Sequence, residues 1–225
     1  MTLNILYGPP GSGKTTAIQS LLQEFVFSYI SIGEIYRKEI KKNSVFGKEL
    51  QEYVETDTEY PKHVIQRIVE PYVLNAKNDE IIILDGFPKH EHELEVLELI
   101  LNKFNNPIER GKVITLTLDL QTAVSRMLRR TVCPKCDFHA DKETICPRCG
   151  YKKMLRRHDD TNQEFTNRFN TFVRNNQLIA GYLNTIGFEA VTIDASQDKE
   201  SLRNLIKSHL FNDKASPTPH ETFQQ

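Results

Sequence analysis

A three-layer α/β architecture built on a central parallel sheet is the fold class that this 225-residue chain predicts, and three observations predict it. Five short apolar runs, at residues 3–7, 28–32, 81–84, 113–118 and 190–193, have the length and near-continuous hydrophobicity of strands buried on both faces. Amphipathic stretches of helical period lie between them, one marked by Leu94, Leu97, Ile100 and Leu101. Strand and helix therefore alternate, which favours parallel strands joined by right-handed crossovers. The composition, 39% hydrophobic and 26% charged with a mean hydropathy of -0.47, suits one sizeable domain carrying small insertions. No run of 18 apolar residues is present, so no membrane-spanning helix is expected. The first residues lack the pattern of a secretory signal, and the expected compartment is the reducing cytoplasm.

Taken in order, the first strand runs straight into Gly8-Pro9-Pro10-Gly11-Ser12-Gly13-Lys14-Thr15, which matches GxxxxGK[ST] and precedes a helical stretch at 16–25. Glycines let successive backbone N–H groups turn inward on an anion, and the helix N-terminus adds its partial positive charge. This is the phosphate loop of P-loop NTPases. Gly11, Ser12 and Gly13 supply the cradle, Lys14 reaches the outer phosphates, and the Thr15 or Thr16 hydroxyl faces Mg2+. Residues 33–60 then break the alternation with a charged, helical stretch that has no strand of its own. The strand at 81–84 ends on Asp85, a position from which a carboxylate can hold water on Mg2+. Further on, Thr161-Asn162-Gln163-Glu164 reads as a capping box that opens a helix. On that helix Phe165, Phe169, Phe172, Ile179 and Leu183 form the apolar stripe, with Arg168 at its border facing a cleft. Residues 212–225 contain two prolines and few apolar groups, and are expected to be a disordered tail.

All four cysteines fall in one segment, as Cys133-Pro134-Lys135-Cys136 and Cys146-Pro147-Arg148-Cys149. Two CxxC knuckles at this spacing suit a tetrahedral Zn2+ whose closed thiolate shell is structural. Disulfides are the alternative, and a cytosolic setting opposes them. His139 could replace one thiolate, although a solvated histidine is the simpler reading.

Asp85-Gly86-Phe87-Pro88-Lys89 resembles the DGFPR signature of adenylate kinases and related nucleoside-monophosphate kinases. The GPPGSGKTT loop, Ser31-Ile32-Gly33-Glu34 with Arg37, Gly47-Lys48, Arg126 to Arg130, and Arg157-His158-Asp159-Asp160 with Arg168 follow in that family's order. The resemblance covers residues 1 to about 211 and implies a core at 1–31, 61–130 and 158–211. It also implies a monophosphate-binding insertion at 32–60 and a zinc-bearing lid at 131–157. By that likeness Ile32, Arg37, Gly86, Lys89 and Glu93 belong to the acceptor site, where Arg37 and Lys89 grip the phosphate. Arg126 lies against the donor base. Lys14, Arg130, Arg157 and Arg168 surround the phosphates in flight, and Asp159 and Asp160 fix the closed lid. Arg126 and Arg130, spaced i,i+4, are expected to share a helix face. The implied reaction is reversible transfer from Mg-ATP to a nucleoside monophosphate, AMP first, giving ADP, in a monomer.

Three positions depart from the family pattern: Ile32 stands for Thr, Lys89 for Arg, and Glu93 for a Gln. An amide both donates to and accepts from adenine, whereas a carboxylate only accepts and could take both adjacent donors of guanine. GMP or a pyrimidine monophosphate is therefore the alternative acceptor. The alternative for Glu93 is a solvated place in the acidic helix Glu91, Glu93, Glu95, Glu98. A phosphate-loop module whose zinc ribbon touches nucleic acid is a further reading, but the segment offers only Phe138 and Tyr151 for stacking. The formal net charge of -1 hides a local feature: Arg126 to Arg157 carries ten Lys or Arg against three acids.

Overall fold

The structure, a computed structural model, describes residues 1–55, 59–77, 79–103, 108–157 and 161–211. In chain order the elements are β1 (Thr2–Tyr7), α1 (Lys14–Leu21), β2 (Ser28–Ser31), α2 (Ile32–Lys41), α3 (Val45–Glu55), α4 (Lys62–Leu74), β3 (Ile81–Asp85) and α5 (Glu91–Asn102). There follow β4 (Glu109–Thr117), α6 (Leu120–Arg129), β5 (Arg130–Val132), β6 (His139–Asp141), α7 (Asn162–Thr185), β7 (Glu189–Asp194) and α8 (Lys199–Leu210). The five long strands form the central parallel sheet in the order β2-β3-β1-β4-β7. β5 and β6 make a separate antiparallel hairpin, Arg130 opposite Asp141.

The apolar runs of β1, β3 and the later part of β4 form strands because the sheet buries both their faces; β7, at the sheet edge, departs from that expectation, with Ala190 and Thr192 exposed and Ile193 buried. Leu3, Ile5 and Leu6 of β1 and Ile82, Ile83 and Leu84 of β3 are fully buried. β4 starts at Glu109, four residues ahead of the apolar run, since Glu109 N–H donates to Met1 O and extends the pairing into polar sequence. Ile32 opens α2 rather than closing β2, and α1 ends at Leu21 rather than at Phe25.

The chain divides into two compact units. One holds Met1–Tyr7, the described residues of 27–113, and Gln177–Ala190. Its core is built from β1, β3, α4 and α5, with Val64, Ile65, Val69, Val96, Leu97 and Ile100 buried. The other holds Gly8–Val26, the described residues of 114–176, and those from Val191 on. In this unit Ala123 and Met127 of α6 pack on Phe165 and Phe169 of α7, which places the first half of the predicted stripe in a core. The capping box forms: Glu164 N–H donates to Thr161 Oγ1 (3.2 Å), and that hydroxyl donates to Glu164 Oε2 (2.7 Å).

No described helix is long and apolar enough to cross a membrane.

Candidate functional site

The phosphate loop takes the shape its glycines allow. Gly11 and Gly13 have φ of 82° and 91°, and Gly13 is the left-handed N-cap of α1. A Cβ on Gly11 would meet Ala123 O at 2.8 Å, so that glycine is required by packing as well as by backbone angle. Ser12 is fully buried, its hydroxyl donating to Pro9 O (2.8 Å). Lys14 Nζ donates to Gly8 O (2.7 Å), Pro9 O (3.1 Å) and Ser12 Oγ (3.2 Å), which folds the cation over the loop from the first residue of α1. Thr15 is half-buried and Thr16 exposed.

Arg126 belongs to this unit and is held by backbone. Nη1 donates to Ala195 O (2.8 Å) and to Gly11 O (3.5 Å), and Nη2 to Ser196 O and Gln197 O (both 3.3 Å). The guanidinium thus ties the turn after β7 to the phosphate loop. Arg130 corrects an expectation. Its ψ of 130° makes it the extended C-cap of α6 and the first residue of β5, so it shares no helix face with Arg126. The i,i+4 spacing was overruled by pairing, because Arg130 must turn out of the helix to meet Asp141. Arg157, half-buried, follows Leu155, whose backbone exchanges hydrogen bonds with Val132 (2.7 and 3.0 Å). Arg168, also half-buried, donates from Nε to Glu164 O (3.3 Å) on the first turn of α7. Asp159 and Asp160 lie outside the described residues.

The second set of residues sits in the other unit. Asp85 ends β3 opposite Leu6 of β1 and Ser31 of β2, is 6% exposed, and accepts from the Tyr29 hydroxyl at 2.5 Å. Two cations pass over glycines there. A Cβ on Gly33 would meet Arg37 Nη1 at 3.2 Å, and one on Gly86 (φ 75°) would meet Lys89 Cε at 3.2 Å. Ile32 is buried at 2% exposure in this core.

Glu93 is buried too, at 5% exposure, while Glu91 and Glu95 on the same helix face water. It is therefore not a solvated member of an acidic face. Its Oε2 accepts the Lys89 backbone N–H at 2.5 Å. Burial pushes its carboxyl up from the ordinary carboxylate range, against the opposing pull of that N–H and the Lys89 charge. Burial and the nearby Glu93 likewise raise the phenols of Tyr7 and Tyr36. Next to it, Glu59 takes His90 Nδ1 (2.8 Å) and His92 Nδ1 (3.2 Å), tying the start of α5 to the segment before α4.

The four cysteine sulfurs lie within 4.8 Å of one another, with Cys133–Cys149 and Cys136–Cys146 at 3.6 Å. Thiolates about 2.3 Å from a tetrahedral zinc would stand about 3.8 Å apart, whereas a disulfide needs about 2.05 Å. The donor set and spacing therefore fit Zn2+. Burial pushes the Cys136 thiol up to about 12. At Cys146 burial acts in the same sense, but backbone N–H groups of Cys149 and Arg148 outweigh it and leave that thiol at about 7.

The two knuckles repeat one hydrogen-bond pattern. Cys133 N–H donates to Phe138 O and Asp137 N–H to Cys133 O; Cys146 N–H donates to Tyr151 O and Gly150 N–H to Cys146 O, each at 2.9 Å. Asp137 (φ 53°) and Gly150 (φ 69°) are the matching left-handed residues. Phe138 packs on the cysteines rather than standing free to stack on a base. The Gln19 amide of α1 grips the first knuckle, donating to Asp137 O (3.3 Å) and accepting from His139 N–H (3.2 Å).

Comparison with known proteins agrees with this chemistry. The adenylate kinase family model matches residues 6–188. Adenylate kinase of Mycoplasmopsis pulmonis is 29% identical over 88% of this chain and 93% of its own. That of Staphylococcus epidermidis is 30% identical over 89% and 94%, and that of Clostridium novyi 27% identical over 93% and 99%. With its phosphate loop, strand-ending Asp85 and glycine-backed cations, the chain belongs to the adenylate kinase family and is a nucleoside-monophosphate kinase.

Proposed function

We propose that the chain transfers the γ-phosphoryl group of Mg-ATP to AMP, a reading of the acceptor base that the burial of Glu93 supports. A neutral carboxyl carries one O–H donor and one carbonyl acceptor, the same pair as the amide that stands there in the family pattern. Burial favours that neutral form. Glu93 then offers adenine a donor and an acceptor together. Ionised, it offers guanine two acceptors, which is the second reading.

An oxygen of the acceptor phosphate attacks the γ-phosphorus, the bond to the β,γ-bridging oxygen breaks, and ADP leaves on both sides. The transition state is loose and highly charged, so alignment and positive charge do the catalysis. In this reading Arg37 and Lys89 orient the acceptor phosphate, Lys14 with Arg130, Arg157 and Arg168 balances charge on the donor, and Arg126 flanks the donor base. The Thr15 or Thr16 hydroxyl and Asp85 are the groups that would serve Mg2+, which when bound would supply charge neutralisation to the phosphates. Zn2+ on the four cysteines would hold residues 131–157 as a lid, and closure of that lid and of residues 32–60 on the core excludes water. Asp159 and Asp160 would latch it. The protein works as a cytoplasmic monomer, where thiols stay reduced.

Turnover with AMP, GMP, CMP and UMP across the pH range in which the protein stays folded tests the acceptor. The sign follows from the raised carboxyl: Glu93 donates below its folded pKa and loses the proton as pH rises through it. AMP should be preferred, its KM rising with pH, and Glu93→Gln should keep AMP while abolishing that trend. A preference for GMP at every pH tested, lost in Glu93→Gln, would replace AMP with the guanine reading.

A further inference from the structure

Sheet register gives Asp85 a partner that its position in the sequence does not suggest. β2 and β3 are parallel, with Tyr29 opposite Ile83 and Ser31 opposite Asp85. Side chains two residues apart on a strand share a face, so Tyr29 and Asp85 are diagonal neighbours on one side of the sheet. Such neighbours stand about 7–8 Å apart at the backbone, a gap that an aromatic side chain can span. The phenol does span it, its O–H donating to Asp85 Oδ2 at 2.5 Å. Asp85 is only 6% exposed, so little water can compete for that oxygen.

We infer that Tyr29 is a positioning residue for the metal-linked carboxylate: by engaging Oδ2 it fixes the Asp85 rotamer and leaves Oδ1 to accept from water on Mg2+. The inference rests on the reading that Asp85 serves that metal. Its physical basis is general, because hydrogen bonds to a metal-linked carboxylate set its orientation, and losing one costs about 10–100-fold in metal affinity. A donor on one oxygen removes the freedom of the carboxylate to swing, so the water meets an acceptor already in place. Tyr29 touches no reacting atom, and its effect should appear in how much Mg2+ the protein needs rather than in how it holds the acceptor.

Tyr29→Phe removes the hydroxyl and keeps the ring. Three readouts separate positioning from mere support: the Mg2+ concentration at half-maximal turnover, the acceptor KM, and ADP binding by calorimetry in EDTA and in Mg2+. The expected result is a half-saturation point raised about tenfold, with a matching loss in the Mg2+-dependent part of ADP affinity. Acceptor KM, ADP affinity in EDTA and melting temperature should stay within about twofold or a few degrees of wild type. Site-specific 3-fluorotyrosine, which keeps a donor, should restore the Mg2+ response. Asp85→Asn serves as the reference. If it shifts the Mg2+ response and Tyr29→Phe does not, or if Tyr29→Phe weakens ADP equally in EDTA, the inference is overturned. If Asp85→Asn leaves the Mg2+ response unmoved, the assignment of Asp85 itself fails.

Discussion

Residues 131–157 and residues 32–60 interrupt the same alternation of strand and helix, yet different physics holds each together. The first has two three-residue strands, and its buried cluster consists of Cys133, Cys146 and Met154, with Cys136, Phe138 and Ala140 against it. Remove the sulfurs and almost no core remains. The second is packed in the ordinary way: Leu50 is fully buried, the tilted rings of Tyr36 and Tyr60 meet with centroids 4.3 Å apart, and Tyr53 meets Tyr60 at 5.6 Å. Its helices α2 and α3 approach so closely at Gly47 that a Cβ there would fall 2.2 Å from Glu39 O. One segment thus offers four sulfurs that fit a metal where the other has its own side chains for a core, and only the first should respond to metal.

The largest break in that contrast should come from metal removal. A chelator strong enough to strip the site, or Cys146→Ser, should unfold residues 131–157 locally and lower kcat/KM by about a hundredfold or more, given how completely small metal sites depend on their ion. Amide exchange should rise there and stay unchanged at 32–55. Full turnover from metal-free protein would refute the claim. Next in size, Leu50→Ala should cost about 2–5 kcal/mol in urea unfolding, as truncation of a fully buried leucine does, and zinc content by mass spectrometry should not change. The smallest effect sharpens the contrast from inside the metal segment. Asp137 holds a left-handed conformation that Gly150 adopts freely in the matching knuckle. Asp137→Gly should therefore stabilise the segment by up to about 1 kcal/mol, read as slower zinc release to a competing chelator.

The phosphate loop and the two knuckles were legible from sequence because local backbone rules dictate both: glycine where φ is positive, and cysteine at fixed spacing. β1, β3 and β4 were legible because sheet burial writes itself as apolar runs, a rule that the mostly exposed edge strand β7 does not follow. Arg130 was misplaced because helical spacing cannot reveal that a hairpin partner eleven residues on, Asp141, draws the backbone out of the helix. Glu93 was ambiguous for a related reason. Within a run of glutamates only the packing of α5 decides which one turns inward. The Tyr29–Asp85 bond depends on strand register, and the grip of Gln19 on the first knuckle joins residues 118 and 120 positions apart. No local pattern could announce either.

The repeated knuckle also bears on how a metal would be captured. Each CxxC turn closes through hydrogen bonds between residues four or five apart, so each can form alone as a two-thiol clip with little loss of chain entropy. Only nine residues separate the clips. Loading should therefore run in two steps, a fast encounter of the ion with one clip and then recruitment of the second at high effective concentration. A segment too small to fold by itself would then assemble on its ion as a hinge closes on a pin.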